Sequence, residues 1–300
     1  MIASVAVKPI LENPSLLPSP HLLRIRDLVY QVSGIFHPDH QLAFLEERCQ
    51  RRATELRLTN LRDYLDLLTA QANRQNELIA LLHEMTVGET CFFRNAAQLE
   101  ALRRVVLPKI VEERNTLPVR RLKIWSAGCS TGEEAYTLAI LLLEESKELL
   151  AGWDIEIQAT DLSMRSVAHA RRGIYGESAT RNLPPEIRRK YFVEEEGGLS
   201  INQHVRTRVN LQQLSLLDDS RMTFMKGIDI IFCCHVLIYF DGAAKHSVIQ
   251  HFRNSLLAPG YLFLGSTESL LGNSEDFRLI HLPSTTAYRK TDHSREKRLT

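Results

Sequence analysis

Leu122-Lys123-Ile124-Trp125-Ser126-Ala127-Gly128-Cys129-Ser130-Thr131-Gly132-Glu133-Glu134-Ala135-Tyr136-Thr137-Leu138-Ala139-Ile140 reads as an apolar strand, a turn of small residues and a helix, which is how a nucleotide-type ligand site is built. Gly128 and Gly132 allow the backbone to turn sharply and approach a ligand, and a helix from about Gly132 to Glu148 starts with its amide N–H groups aimed at it. Glu133 and Glu134 fall in the first turn of that helix. Carboxylates suit a helix N-terminus but repel a pyrophosphate placed there, so a dinucleotide fits badly, and no G-x-G-x-x-G pattern is present. A cationic ligand such as S-adenosylmethionine, with its sulfonium and ammonium groups, fits better. Taken alone, the stretch also reads as an ordinary glycine turn before a well-capped helix.

The next apolar run, Asp154-Ile155-Glu156-Ile157-Gln158-Ala159-Thr160-Asp161, ends in an acid. A carboxylate at the end of the second strand can accept both hydroxyls of a ribose, for adenosine as for a dinucleotide. Asp161 can equally cap the helix that Leu162 to Arg171 would form, and the residues alone leave both readings open.

Composition bounds the class. With 300 residues, 44% of them hydrophobic, and no run approaching the roughly 18 apolar residues of a membrane span, the chain reads as a soluble protein of about two domains. Lys+Arg number 37 against 36 Asp+Glu, so no global charge recruits nucleic acid or a membrane surface. The five cysteines are odd in number, scattered and without a CxxC pair, which argues against a disulfide framework or a zinc site and for a reducing cytoplasm.

Residues 1–20 lack the basic and apolar regions of a signal peptide and read as a flexible lead-in. From 21 to 86 the apolar positions (Leu22, Ile25, Val29; Leu42, Leu45, Cys49; Leu61, Tyr64, Leu65, Leu68; Leu78, Leu82) recur at helical spacing, predicting a small all-helical domain. A linker and connecting helix follow over 87–121, the helix at 96–114. From 122 to 290 strands (122–127, 154–160, 228–234, 260–266, near 285–289) alternate with helices (132–149, 162–171, 242–257). That alternation predicts an α/β domain with a mostly parallel sheet covered on both faces. Gly197-Gly198 and the short stretches Leu199-Ser200-Ile201 and Val205 to Val209 predict a small antiparallel β insertion between about Tyr191 and Leu217. The polar residues 291–300 read as a disordered tail.

Four motifs, in order and correctly spaced, resemble the chemotaxis receptor methyltransferases, the CheR family. Thr86-Val87-Gly88-Glu89-Thr90-Cys91-Phe92-Phe93-Arg94 resembles its "ETxFFR" signature, Ala127 to Tyr136 its "GCSTGEE" loop, Ala159-Thr160-Asp161 its "ATD", and Val236-Leu237-Ile238-Tyr239-Phe240-Asp241 its "NVLIYFD". The resemblance covers roughly residues 21 to 290. It implies a Rossmann-like S-adenosylmethionine-dependent methyltransferase fold and methyl-ester formation on glutamate side chains of the cytoplasmic coiled coil of transmembrane chemoreceptors. The enzyme would be a monomer that neither binds nucleic acid nor inserts into the membrane. Carried onto this chain, the cofactor contacts are Thr90, Arg94, Glu133, Asp161, Ser215, Leu216, Cys234 and His235, with Arg94 and Tyr239 as catalytic residues beside the reacting methyl. Where many members have Asn, this chain has Gly88, Ser215 and His235, and each hydrogen bond thereby lost weakens cofactor binding by about 0.5–1.5 kcal/mol.

Arg48, Arg51, Arg52, Arg57 and Arg62 crowd one helix and its exit in the helical domain, a basic face complementary to acidic receptor helices, although Glu46, Glu47 and Glu55 dilute it. The insertion resembles those of members that do not tether a receptor's C-terminal peptide. Two further readings compete: a cofactor-binding signalling scaffold of the same family without turnover, and an NAD-dependent oxidoreductase, which Glu133-Glu134 disfavours.

Overall fold

The computed structural model describes residues 18–70, 74–86, 90–114, 119–270 and 276–291. Most of the lead-in, Gly88 and the tail from residue 292 lie outside these residues. Four helices come first: α1 (Pro20–Ser33), α2 (Leu42–Glu55), α3 (Leu61–Thr69) and α4 (Arg74–Thr86). Their apolar stripes, among them Ile25, Val29, Leu45, Cys49, Tyr64, Leu68, Leu78 and Leu82, meet in one core. Asn60 starts α3 by accepting the Asp63 N–H (2.9 Å). α5 (Ala96–Ala101) and α6 (Leu107–Arg114) follow, joined by π-helical turns over Leu102–Val106.

The remaining chain runs β1 (Arg121–Ala127), α7 (Glu133–Glu145), β2 (Asp154–Asp161), α8 (Met164–Arg172), β3 (Ile174–Tyr175), α9 (Glu177–Thr180), α10 (Pro185–Tyr191), β4 (Phe192–Glu195) and β5 (Gly198–Ile201). It continues through α11 (Gln203–Arg206), β6 (Val209–Gln213), α12 (Asp219–Met222), β7 (Ile228–Cys233), α13 (Gly242–Ser255), β8 (Leu256–Leu264), β9 (Phe277–Leu282) and β10 (Thr285–Lys290). Seven strands form one sheet in the order β6-β2-β1-β7-β8-β10-β9; the first five are parallel, and β10 is antiparallel to both of its neighbours. Every residue of β7 is buried, as expected of a central strand covered on both faces. Its side chains alternate between two cores: Ile230 and Phe232 pack with α5, α6 and α7, while Ile231 and Cys233 pack with α13.

The insertion differs from its expected extent. Its sheet, in the order β3-β5-β4, begins at Ile174, well before Tyr191, and ends at Ile201. Val205 to Val209 is not part of it. The Asn202 side chain accepts the Val205 N–H (3.1 Å) and starts the helical turn α11, and Val209 then opens β6, which pairs with β2 at the edge of the main sheet. The half-polar Val209-Asn210-Leu211-Gln212-Gln213 hides this strand in the sequence, because an edge strand need not be continuously apolar.

Inside the helical domain the Glu77 carboxylate, 7% exposed, accepts from Arg52 Nε (3.0 Å), Arg52 Nη2 (2.8 Å) and the Tyr64 hydroxyl (2.8 Å). Removing this acceptor leaves a largely buried guanidinium with only the half-exposed Glu55 as its charged partner. Glu77→Ala is expected to destabilise the protein by about 3–5 kcal/mol in equilibrium denaturant unfolding.

Candidate functional site

At the end of β1 the chain turns through Gly128 and Gly132, whose φ angles of 77° and 99° favour glycine. A Cβ on Gly128 would lie 2.5 Å from Val236 Cγ2, so a side chain there would displace the segment after β7. Between the glycines, Ser130 is also left-handed (φ 49°), and its N–H donates to Asp161 Oδ2 (2.8 Å). The other oxygen, Oδ1, accepts the Ser163 N–H (2.8 Å) at the start of α8. Asp161 therefore braces the start of α8 and the glycine turn at once.

Above this turn, beyond the carboxyl ends of β1, β2 and β7 where the strand order reverses, lies a cavity of about 320 Å³. Thr90, Arg94, Asp161, Ser215, Leu216, Cys234, His235 and Tyr239 all line it. Glu133 does not. It is 3% exposed, and its carboxylate accepts from the Thr131 hydroxyl (2.7 and 2.9 Å). Glu134, about 100° further round the helix, takes the place on the wall and accepts from the Ser126 hydroxyl (2.7 Å). The pair in the first turn was legible in the sequence, but which member faces the cavity depends on the start of α7.

Burial sets the electrostatics. It pushes the carboxyls of Glu134 and Asp161 above the usual carboxylate range, against the hydrogen bonds that favour their ionised forms. The Cys129 and Cys234 thiols are raised well above their ordinary value by burial, so both are poor nucleophiles. Burial and then the Glu268 charge raise the Tyr239 phenol; burial and then Arg94 lower the His235 imidazole.

The "ETxFFR" segment is fixed by its first Phe. Phe92 is fully buried, edge-on to Tyr175 (4.8 Å) and Phe192 (5.1 Å), and its N–H donates to Ala179 O (2.9 Å). Phe93 follows in a left-handed turn (φ 54°), its N–H on Thr137 Oγ1 (3.2 Å). Arg94 is left exposed at the cavity, its guanidinium without a hydrogen-bond or ion-pair partner among the described residues.

Two contributors were missed in the sequence. The helical domain closes one side: Ile35 bridges to Phe240, the Tyr30 hydroxyl donates to Asp241 Oδ2 (2.7 Å), and Ser33 and Ile35 line the cavity. Contacts between segments two hundred residues apart leave no local pattern. Glu268, just beyond β8, accepts three backbone N–H groups behind Tyr239, and no quoted motif includes it.

The basic helix divides. Arg52 is committed to Glu77 inside the helical domain, and Arg51 pairs with Glu84 (3.3 Å) and Glu47 (3.5 Å). Arg48 lies over the Phe44 ring (4.7 Å) and also pairs with Glu47 (3.5 Å), while Arg57 and Arg62 are exposed with no ion pair among the described residues. The expected docking face thus loses Arg52, because a buried acid opposite it on α4 claims the guanidinium.

A mostly parallel sheet with a nucleoside-sized cavity at its switch point, walled by carboxylates that suit a cation, defines a Rossmann-like methyltransferase fold. Residues 20–86 match the CheR methyltransferase all-alpha domain and residues 88–286 the CheR methyltransferase SAM binding domain; the chain belongs to the CheR methyltransferase family. Chemotaxis protein methyltransferase 2 of Vibrio cholerae is 33% identical over 279 residues, 93% of this chain and 95% of that protein. The chemotaxis protein methyltransferase of Borreliella burgdorferi is 30% identical over 253 residues, covering 84% and 89%. The cofactor is S-adenosylmethionine, and the walls fit it: Glu134 and Asp161 would offer acceptors to ammonium and hydroxyl groups, and Ile35, Leu214, Leu216 and Phe240 would offer apolar surface.

Asp161→Ala is expected to weaken S-adenosylmethionine binding by roughly 1.5–3 kcal/mol in titration calorimetry, and Glu134→Gln to weaken it by a similar amount. Glu133→Gln should stay within about threefold, roughly 0.6 kcal/mol. A bound cation favours the ionised carboxylates, so affinity rises with pH through their raised pKa values. On acidification it is lost at a higher pH than for ordinary carboxylates near about 4.

Proposed function

We propose that this methyltransferase esterifies glutamate side chains on the cytoplasmic region of methyl-accepting chemoreceptors. The observation that carries the reading is the wall shared by the cofactor cavity and the exposed Arg94, which has no partner among the described residues, with Tyr239 on the same wall. An acidic side chain entering there meets the exposed Arg94 guanidinium, a cation that suits a glutamate acceptor. Relatives named chemotaxis protein methyltransferase support the same substrate class.

S-adenosylmethionine supplies an electrophilic methyl group when bound. A glutamate carboxylate, with a reference pKa near about 4.3, is already a nucleophile at neutral pH, so no general base is required of the protein. What the chain must do is orient and dry the acceptor. Arg94 holds the incoming carboxylate, the Tyr239 hydroxyl donates to it, and Ile35, Ile238 and Phe240 exclude water from the mouth. Arg48, Arg57 and Arg62 steer the acidic receptor helix, a weak and salt-sensitive attraction. The enzyme acts in the cytoplasm as a monomer, and its three-stranded insertion carries no tether for a receptor's C-terminus.

Labelled methyl transfer to purified receptor cytoplasmic domains tests this. Base-labile label should appear on the receptor, disappear when the acceptor glutamates are replaced by alanine, and fall at least about a hundredfold in Arg94→Ala, whose lost positioning amounts to roughly 3 kcal/mol. Intact cofactor binding with no transfer to any receptor would instead describe a scaffold. Removing the receptor's last residues should leave the rate unchanged.

A further inference from the structure

Glu268 binds together two loops at the reaction cavity. Its Oε2 accepts the N–H of His235 (2.7 Å), in the loop after β7, and of Gly265 (2.8 Å), in the loop after β8. Its Oε1 accepts the N–H of Ile238 (3.2 Å), the residue before Tyr239. A Cβ on Gly265 would stand 2.7 Å from Oε2 and 3.0 Å from the His235 nitrogen, so the packing leaves no room for slack. His235 has φ 62°, a left-handed conformation that a histidine keeps only where its surroundings hold it. The loop pinned in this way carries Cys234, His235, Ile238 and Tyr239 on the cavity wall.

We propose that Glu268 is a positioning residue for methyl transfer: its ionised carboxylate clamps the loop after β7 to the loop after β8 and so sets the Tyr239 hydroxyl against the acceptor. The proposal rests on the reading that puts the acceptor carboxylate beside Tyr239. The clamp needs a carboxylate, because its two oxygens both face N–H donors. A glutamine offers one acceptor oxygen and turns its NH2 group on at least one of those donors. The bonds are charge-assisted, which suits a clamp that must outlast substrate binding and release. A purely structural brace would lower stability and depress turnover alike in every background, whereas a clamp acting through Tyr239 loses its effect once the hydroxyl is gone.

The test is a double-mutant cycle on receptor methylation by the full chain. Glu268→Gln should lower kcat at least about tenfold with both KM values within about threefold, Glu268→Asp should fall between, and in the Tyr239→Phe background Glu268→Gln should change kcat less than about threefold. Equal fractional losses in the two backgrounds overturn the proposal, as does a silent Glu268→Gln or a silent Tyr239→Phe. If wild type methylates no receptor, the glutamate reading falls and the clamp is judged by NMR of the S-adenosylhomocysteine complex. There Glu268→Gln should shift the His235 and Ile238 amides and lower the His235 imidazole pKa, since the Glu268 charge raises it. Unmoved amides and an unmoved titration overturn the clamp.

Discussion

Asp161 is the residue on which the rest of the site depends. One carboxylate accepts the Ser130 N–H from the turn after β1 and the Ser163 N–H at the start of α8, so a single side chain fixes the glycine turn relative to the second strand. The Gly128 and Cys129 N–H groups on Thr160 O (2.8 and 2.9 Å) complete the connection. Because Ser130, a non-glycine residue, is left-handed, the turn needs this external hold. Several neighbours are placed against this turn: α7 brings Glu134, Val236 packs where a Gly128 side chain would stand, and Tyr175 donates to Thr131 O (2.8 Å) from the insertion.

A second constraint is the buried aromatic anchor at Phe92. By packing between Tyr175 and Phe192 it ties the segment after the helical domain to the insertion, and Arg94, two residues on, inherits its position at the cavity. The insertion therefore has a structural duty close to the site, independent of any contact with a partner. The helical domain does the same from the other side through Tyr30 and Ile35.

What was legible in the sequence was what local pattern encodes. The small-residue turn, the acid ending β2, the helical period of the first domain and the buried run of β7 each declare themselves within a dozen residues. β6 did not, since an edge strand with alternating polar residues looks like part of an insertion. The exchange of Glu133 for Glu134 turns on one residue of helical phase, and the loss of Arg52 from the basic face turns on Glu77, a residue on another helix. Glu268 and Ile35 reach the site only through tertiary contacts, which no spacing rule anticipates.

The central claim, that the cofactor is held over the turn braced by Asp161, is tested most directly by titrating S-adenosylhomocysteine into isotopically labelled protein and following backbone amide shifts. The account predicts the largest changes at Gly128 to Ser130, Ser163, Leu214 to Leu216 and His235, with α1 to α3 little affected except near Ser33 to Ile35. Shifts confined to the helical domain, or none at millimolar ligand, would contradict it.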